Sequence, residues 1–346
     1  MSSKPADIES SIPSPRETSA LFGHQEAETT LLNAYRGGRI PHAWLIGGGQ
    51  SIGKATLAYR MAKFVLAHAD PKSSDVQNAK TLAVDPDHPV ARKVAAGSHG
   101  GLLTLERTLN DKGVIGTVIS VNQARATLPF FGSTAAVEGW RVCIVDTVEE
   151  LNANAANALL KVLEEPPARA LFFLVSHMPA RVLATIQSRC RKLPLRPLSA
   201  DDVVCAAANA ADLDPGDPAL RDAAELAEGS VTRALTLLES DGLGMHQRTL
   251  ELLNALPHVD PRALHSLGDA LGLNDRVSLR AFIDTVDRWL TAHLREPGTQ
   301  ANLPRLARFA EVWEKINSAA REVESFNLER KPLVFSVFGM LADATR

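Results

Sequence analysis

Cysteine is scarce in this chain of 346 residues: Cys143, Cys190 and Cys205 are scattered and form no CxxC pair. That excludes a disulfide framework and a cysteine-built zinc site. Long apolar runs are also missing, since none approaches the roughly 18 residues that span a bilayer. The first residues, MSSKPADIESSIPSPRE, are polar and lack the apolar core of a secretion signal. A cytoplasmic protein with no membrane partner is the expectation. Nor is there an excess of charge of either sign: the formal net charge is −3. A self-sufficient nucleic-acid binder would carry a basic stripe and a high pI, so any DNA contact here must be local or shared. What remains is ordinary globular composition, 45% apolar and 22% charged. The length favours two or three domains.

Residues 1–20 combine Ser, Pro and charge without apolar periodicity and read as a mobile tail. A short apolar run, Ala43 to Ile46, leads into GGGQSIGK, after which Leu57, Met61, Phe64 and Val65 recur at helical spacing. The pattern predicts strand, glycine-rich loop, helix. A polar stretch from His68 to Gly101 holds one short helix near 90–96, and Leu102 to Leu105 is a second strand. Ser120 is placed to cap a helix through Ala126, and Arg141 to Val145 forms a strand ending at Asp146. Asn152 to Glu165 has Ala156, Leu159, Leu160 and Leu163 on one face and stops at Pro166-Pro167. Leu171 to Val175 is a buried strand, followed by a helix over 181–189. Strands alternating with helices imply an α/β domain with a mainly parallel sheet over 21–196. Beyond RPLS the pattern is helical throughout, with a small domain over 197–243 and longer helices over 244–346, such as 280–294 and 305–323.

Gly48 to Lys54 fits G-x-x-x-x-G-K between a strand and a helix, the place of a phosphate loop. Glycines there expose successive N–H groups at a helix N-terminus, and the lysine reaches the outer phosphates. The same glycines would also make a tight turn with no ligand. The position after Lys54 needs a hydroxyl for Mg²⁺, but it is Ala55, and Thr56 is rotated by about 100° along the helix. Asp146, at a strand end, is placed to hold a metal through water or to cap the next segment. The residue after it, Thr147, is no general base at neutral pH, and Glu149 and Glu150 would need special geometry to replace one. The residues predict phosphate-loop geometry, weak ATP or ADP binding at most, and no required cofactor.

NANAANALLKVLEEPP at Asn152 to Pro167, the strand LFFLVS, and Ser188-Arg189-Cys190 together resemble the clamp-loader branch of the AAA+ superfamily. Leu21 to Gly48 and GSVTRALTLL at Gly229 to Leu238 support the resemblance, which covers about residues 21–240. It implies an AAA+, RecA-like α/β domain with a parallel sheet, then a helical lid, then an all-α collar that oligomerises. It further implies a pentamer that opens a ring-shaped sliding clamp and places it on primer–template DNA, using ATP bound by neighbouring subunits. The implied partners are ATP-binding subunits of the gamma/tau type, the delta subunit, the clamp through the complex, and DNA shared by the assembly. Arg189 corresponds to an arginine that acts in trans on the neighbour's ATP; by itself it reads as a solvated or salt-bridged helix-end residue. Ser188 and Cys190 read as capping and packing residues. Ser176 falls where a polar strand-end residue reads the terminal phosphate. The sensing arginine of the GSVTRAL stretch aligns with Thr232, with Arg233 one place on. Many relatives carry a cysteine-rich zinc module where 68–101 has none, so no zinc is expected, and His68, His88 and His99 read as surface positions. Two other readings stay open: an active ATPase subunit of the same assembly, and a stand-alone DNA-binding adaptor.

Overall fold

A computed structural model describes residues 13–108, 116–132, 139–272, 276–295 and 303–345. The chain divides into two compact units, Met1–Asp217 with Ala224–Thr232, and Pro218–Ala223 with Arg233–Arg346. The division falls within the stretch expected as the lid, 197–243.

The first unit is built on five described strands: β1 (Ala43–Gly47), β2 (Leu102–Glu106), β3 (Arg141–Asp146), β4 (Ala170–Ser176) and β5 (Arg191–Pro194). Their spatial order is β2-β3-β4-β1-β5 and every pairing is parallel. Parallel neighbours require crossovers, and helices supply them, leaving β1 and β4 buried at every residue. The expected α/β sheet is therefore present. Phe172, Leu174, Cys143, Val145, Leu159 and Leu163 meet in the core between the sheet and the helix Ala153–Glu164. That helix begins where the Asn152 side chain accepts a hydrogen bond from Ala155 N at 2.8 Å. It ends just before Glu165 and the two prolines, as the periodicity predicts. Ser120 likewise caps Val121–Arg125, with Gln123 closing a capping box.

The helix expected over 181–189 is broken up. A 3₁₀ turn covers Pro179–Arg181 and an α-helix only Ala184–Gln187. Val182 and Leu183 between them are extended, with ψ of 137° and 133°. Val182 and Ile186 both enter the core.

Residues 13–20, expected within the mobile tail, lie as a strap on this unit; residues 1–12 fall outside the described residues. Arg60 donates to Ser19 O and Lys63 to Thr18 O at 3.3 Å, while Arg16 pairs with Glu106 at 2.8 Å. Arg60 is buried and is neutralised by Glu28, which accepts from its Nε and Nη2 at 3.0 and 2.8 Å. A buried guanidinium needs such a partner.

The second unit contains the helices Gly242–Asn254, Pro261–Ala270, Arg276–Arg295, Leu303–Phe326 and Lys331–Thr345. Phe282, Val286, Leu290, Phe309, Val334 and Phe338 are buried in it. The long helices expected at 280–294 and 305–323 extend beyond those bounds by one to four residues at each end. No described helix is long and apolar enough to cross a membrane.

Candidate functional site

The C-terminal edge of β1 runs straight into Gly48–Lys54, and the backbone there dictates glycine at two points. Gly48 has φ 152°, and a Cβ on it would lie 2.6 Å from Leu195 O and 2.7 Å from Ile52 Cδ1. Gly53 has φ 97° and forms the N-cap of the helix Lys54–Ala67. The loop is fastened on its outer side as well: Val231 N donates to Ser51 O at 3.1 Å. Buried His24 meets Ile52 O through Nε2 at 2.6 Å. A carbonyl can only accept, so Nε2 carries the proton, and burial holds the ring below its usual pKa and neutral.

Around this loop lies a cavity of about 610 Å³. One part of its wall is apolar or weakly polar, with Pro13, Pro15, Leu21, Phe22, Leu198 and Ala210. The other is charged, with Lys54, Glu106, Arg107, Asp146 and Glu150. A cavity of this volume lined by both apolar and charged groups is large enough for a small ligand. Its electrostatics are another matter.

Lys54 is only 3% exposed, and its ammonium donates to Gly48 O at 3.0 Å and to Gly49 O. The phosphate-reaching group is thus folded onto its own loop. Burial drives its pKa down to about 8, against the pull of Asp146 and Glu149. Asp146 pairs in register with Glu106 on the adjacent strand. Burial first, then the Glu106 charge, raises the Asp146 pKa. Arg107 is neutralised by Glu150 at 2.8 Å. A magnesium site does not fit this donor set, because the loop's ligand position is the methyl of Ala55 and the strand-end acid is one crowded carboxylate. The side chains around the loop therefore support no metal-dependent step.

Neither nearby glutamate replaces the base missing at Thr147. Glu149 Oε1 accepts from the backbone N–H of His177 and of Met178, at 2.6 and 3.0 Å, so its carboxylate ties the end of β3 to the end of β4. Glu150 is held by Arg107. Thr147 itself faces His177, with Oγ1 3.4 Å from Nε2.

Ser176 is the last residue of β4, at the strand end where the resemblance put it, but it turns away from the cavity. It is fully buried, its hydroxyl has no hydrogen-bond partner, and the cavity wall is formed by Val175 and His177 on either side. Successive strand residues point to opposite faces, so the residue facing the cavity beyond β4 is His177. Counting in twos from Val175 would have found it. Thr232 does line the cavity, whereas Arg233 is paired with Asp284 at 2.5 Å.

Arg189 is absent from this cavity wall. It stands just after the short helix Ala184–Gln187, with its side chain a third exposed. One guanidinium nitrogen, Nη1, donates to Thr185 O at 2.8 Å and the other, Nη2, to Glu164 Oε1 at 2.6 Å. Beside it, Ser188 Oγ donates to Thr185 O, while Cys190 packs on the core and burial raises its thiol pKa to about 11. The three histidines of 68–101 have local tasks: His68 packs on Phe64, His88 caps the helix Pro89–Ala95, and His99 Nδ1 accepts from Gly101 N.

The parallel sheet, the phosphate-loop pattern after β1 and the acidic end of β3 define a P-loop α/β unit with Ala at position 55 and Thr at position 147. The family described as "DNA polymerase III, delta subunit" matches residues 23–199, just over half of the chain, and the chain belongs to it. Among curated relatives, the DNA polymerase III subunit delta' of Pseudomonas aeruginosa is 36% identical over 156 residues, which are 44% of this chain and 43% of that one. Subunit delta' of Escherichia coli is 30% identical over 211 residues, 61% of this chain and 58% of that one. Subunit gamma of Buchnera aphidicola is 28% identical over 222 residues, 63% and 57% of the two chains. The chain spans about half the length of the curated relatives it matches.

Proposed function

We propose that this chain is a non-hydrolytic subunit of the DNA polymerase III clamp loader. It presents Arg189 in trans to ATP on a neighbouring subunit and helps to load the sliding clamp on primed DNA. The observation that carries the reading is the separation of the two functional groups. Lys54 is buried against the carbonyls of its own loop, while Arg189 stands outside the loop's cavity with its guanidinium reachable from solvent. A guanidinium in trans stabilises charge on the transferring phosphoryl group, and its planar, permanently charged fork suits phosphate oxygens. The neighbours are ATP-binding subunits of the gamma/tau type, with the delta subunit, the clamp and primer–template DNA as further partners in the cytoplasm. The helices from Gly242 onward serve as the oligomerising collar. The loop cavity holds ATP or ADP weakly if at all, because a polyphosphate there meets Glu106, Asp146 and Glu150 without a complete metal site.

The test is ATP turnover by the reconstituted complex. Arg189→Ala should leave assembly intact and depress hydrolysis at the site the arginine faces, while Lys54→Ala should leave turnover nearly unchanged. A large loss with Lys54→Ala, or none with Arg189→Ala, would overturn the reading.

A further inference from the structure

Glu164 occupies a place where helix energetics alone would not put a carboxylate. It is the last residue of the helix Ala153–Glu164, where the unpaired carbonyls give the helix end a partial negative charge that repels anions. Its charge is instead answered across space by Arg189, 25 positions on, at 2.6 Å. The opposite end of the same guanidinium caps Thr185 O, the carbonyl of a helix only four residues long. Both Nη groups of Arg189 are therefore engaged by this chain, one by a neutral carbonyl and one by a charge.

We infer that Glu164 is a latch on Arg189: it holds the guanidinium folded on its own chain, and the phosphates of a neighbour's nucleotide must displace it. The inference rests on the trans role of Arg189 proposed above. Two features make the contact breakable. The side chains are 33% and 49% exposed, so the pair is screened by water and salt, and exposed pairs of this kind are weak. A nucleoside triphosphate carries several negative charges against the single one of Glu164, so it wins when it is close. Retaining Glu164 against the guanidinium during phosphoryl transfer would place a carboxylate beside the very oxygens whose charge is growing. Release is the arrangement that lets the arginine act.

Glu164→Gln keeps the size of the side chain and removes the charge. In the reconstituted complex without clamp or DNA, it should raise hydrolysis at the site facing Arg189 by about two- to fivefold at low salt, the range an exposed ion pair supports. The rise should vanish at high salt and in an Arg189→Ala background. A second measurement separates the contact from its use. On the isolated full-length chain, NMR should show rotation about the Arg189 Nε–Cζ bond slowed in the parent and freed by Glu164→Gln. Equal rotation in both would mean there is no latch. A freed rotation with unchanged or lower hydrolysis, where Arg189→Ala does depress it, would overturn the latch while sparing the trans reading. No effect of Arg189→Ala would remove both.

Discussion

Two cations at opposite ends of one α/β unit have been treated in opposite ways. Lys54 is enclosed, satisfied by carbonyls of its own loop and partly stripped of its affinity for protons. Arg189 is on the surface, held by one helix-end carbonyl and one exposed carboxylate. In a nucleotide-hydrolysing subunit the lysine would face a ligand. Here the lysine is satisfied by its own loop, while the half-exposed ion pair of the arginine leaves its charge within reach of another molecule. On the trans role proposed for Arg189, a chain with Ala at 55 and Thr at 147 keeps a part in hydrolysis, because its exposed arginine acts at another subunit's site.

The comparison can be broken most sharply at Arg189. Replacement by Ala should reduce hydrolysis at the facing site by roughly 10³- to 10⁵-fold in single-turnover assays of the complex. The stability of the isolated chain should move by no more than about 0.5 kcal/mol, since the residue is exposed. At the closed end, Gly48→Ala should cost about 2–4 kcal/mol in urea unfolding, because the new methyl would collide with Leu195 O in a backbone conformation that favours glycine. Gly53→Ala, whose nearest neighbour would be 3.6 Å away, carries only the backbone term and should cost about 1–2 kcal/mol.

Lys54 gives a subtler test. Its folded pKa near 8 lies below the 10.5 of an ordinary lysine, so between those values the unfolded chain holds a proton that the folded one has released. Stability contributed by this residue is therefore reduced below pH 8 and rises as the pH increases toward 10.5. Unfolding free energies near pH 7.5 and near pH 9.5 should differ by about 1–2 kcal/mol more in the parent than in Lys54→Met. An identical pH response in both would show that the ammonium is not enclosed. The smallest expected effect is on turnover, where Lys54→Ala should stay within about twofold of the parent complex.

The sheet and its loop were legible because their signals are local. Apolar runs of four to six residues, glycines at fixed spacing and the Asn152 and Ser120 caps are all read within a turn or two of the chain. What escaped was set by partners distant in sequence. Nothing near Ser176 says that its hydroxyl faces inward and His177 faces the cavity, although strand alternation from Val175 implies it. Nothing near Pro13 says that Arg60 and Lys63 will hold residues 18 and 19 against the unit. The uninterrupted helix expected over 181–189 is replaced by a 3₁₀ turn, two extended residues and a four-residue helix, a break that no residue in the stretch signals. Likewise the site carboxylates Glu149 and Glu150 could be noticed in the sequence, but only their through-space partners, two backbone N–H groups and Arg107, show that both are already committed.

Gly48 carries a lesson about how such chains change over time. Its missing side chain is demanded by Leu195 and Ile52, whether or not a phosphate ever arrives. Packing alone would keep a glycine there, with or without a bound nucleotide. A loop pattern in a genome thus records the path of a backbone, and inherited architecture can outlast the ligand that first shaped it.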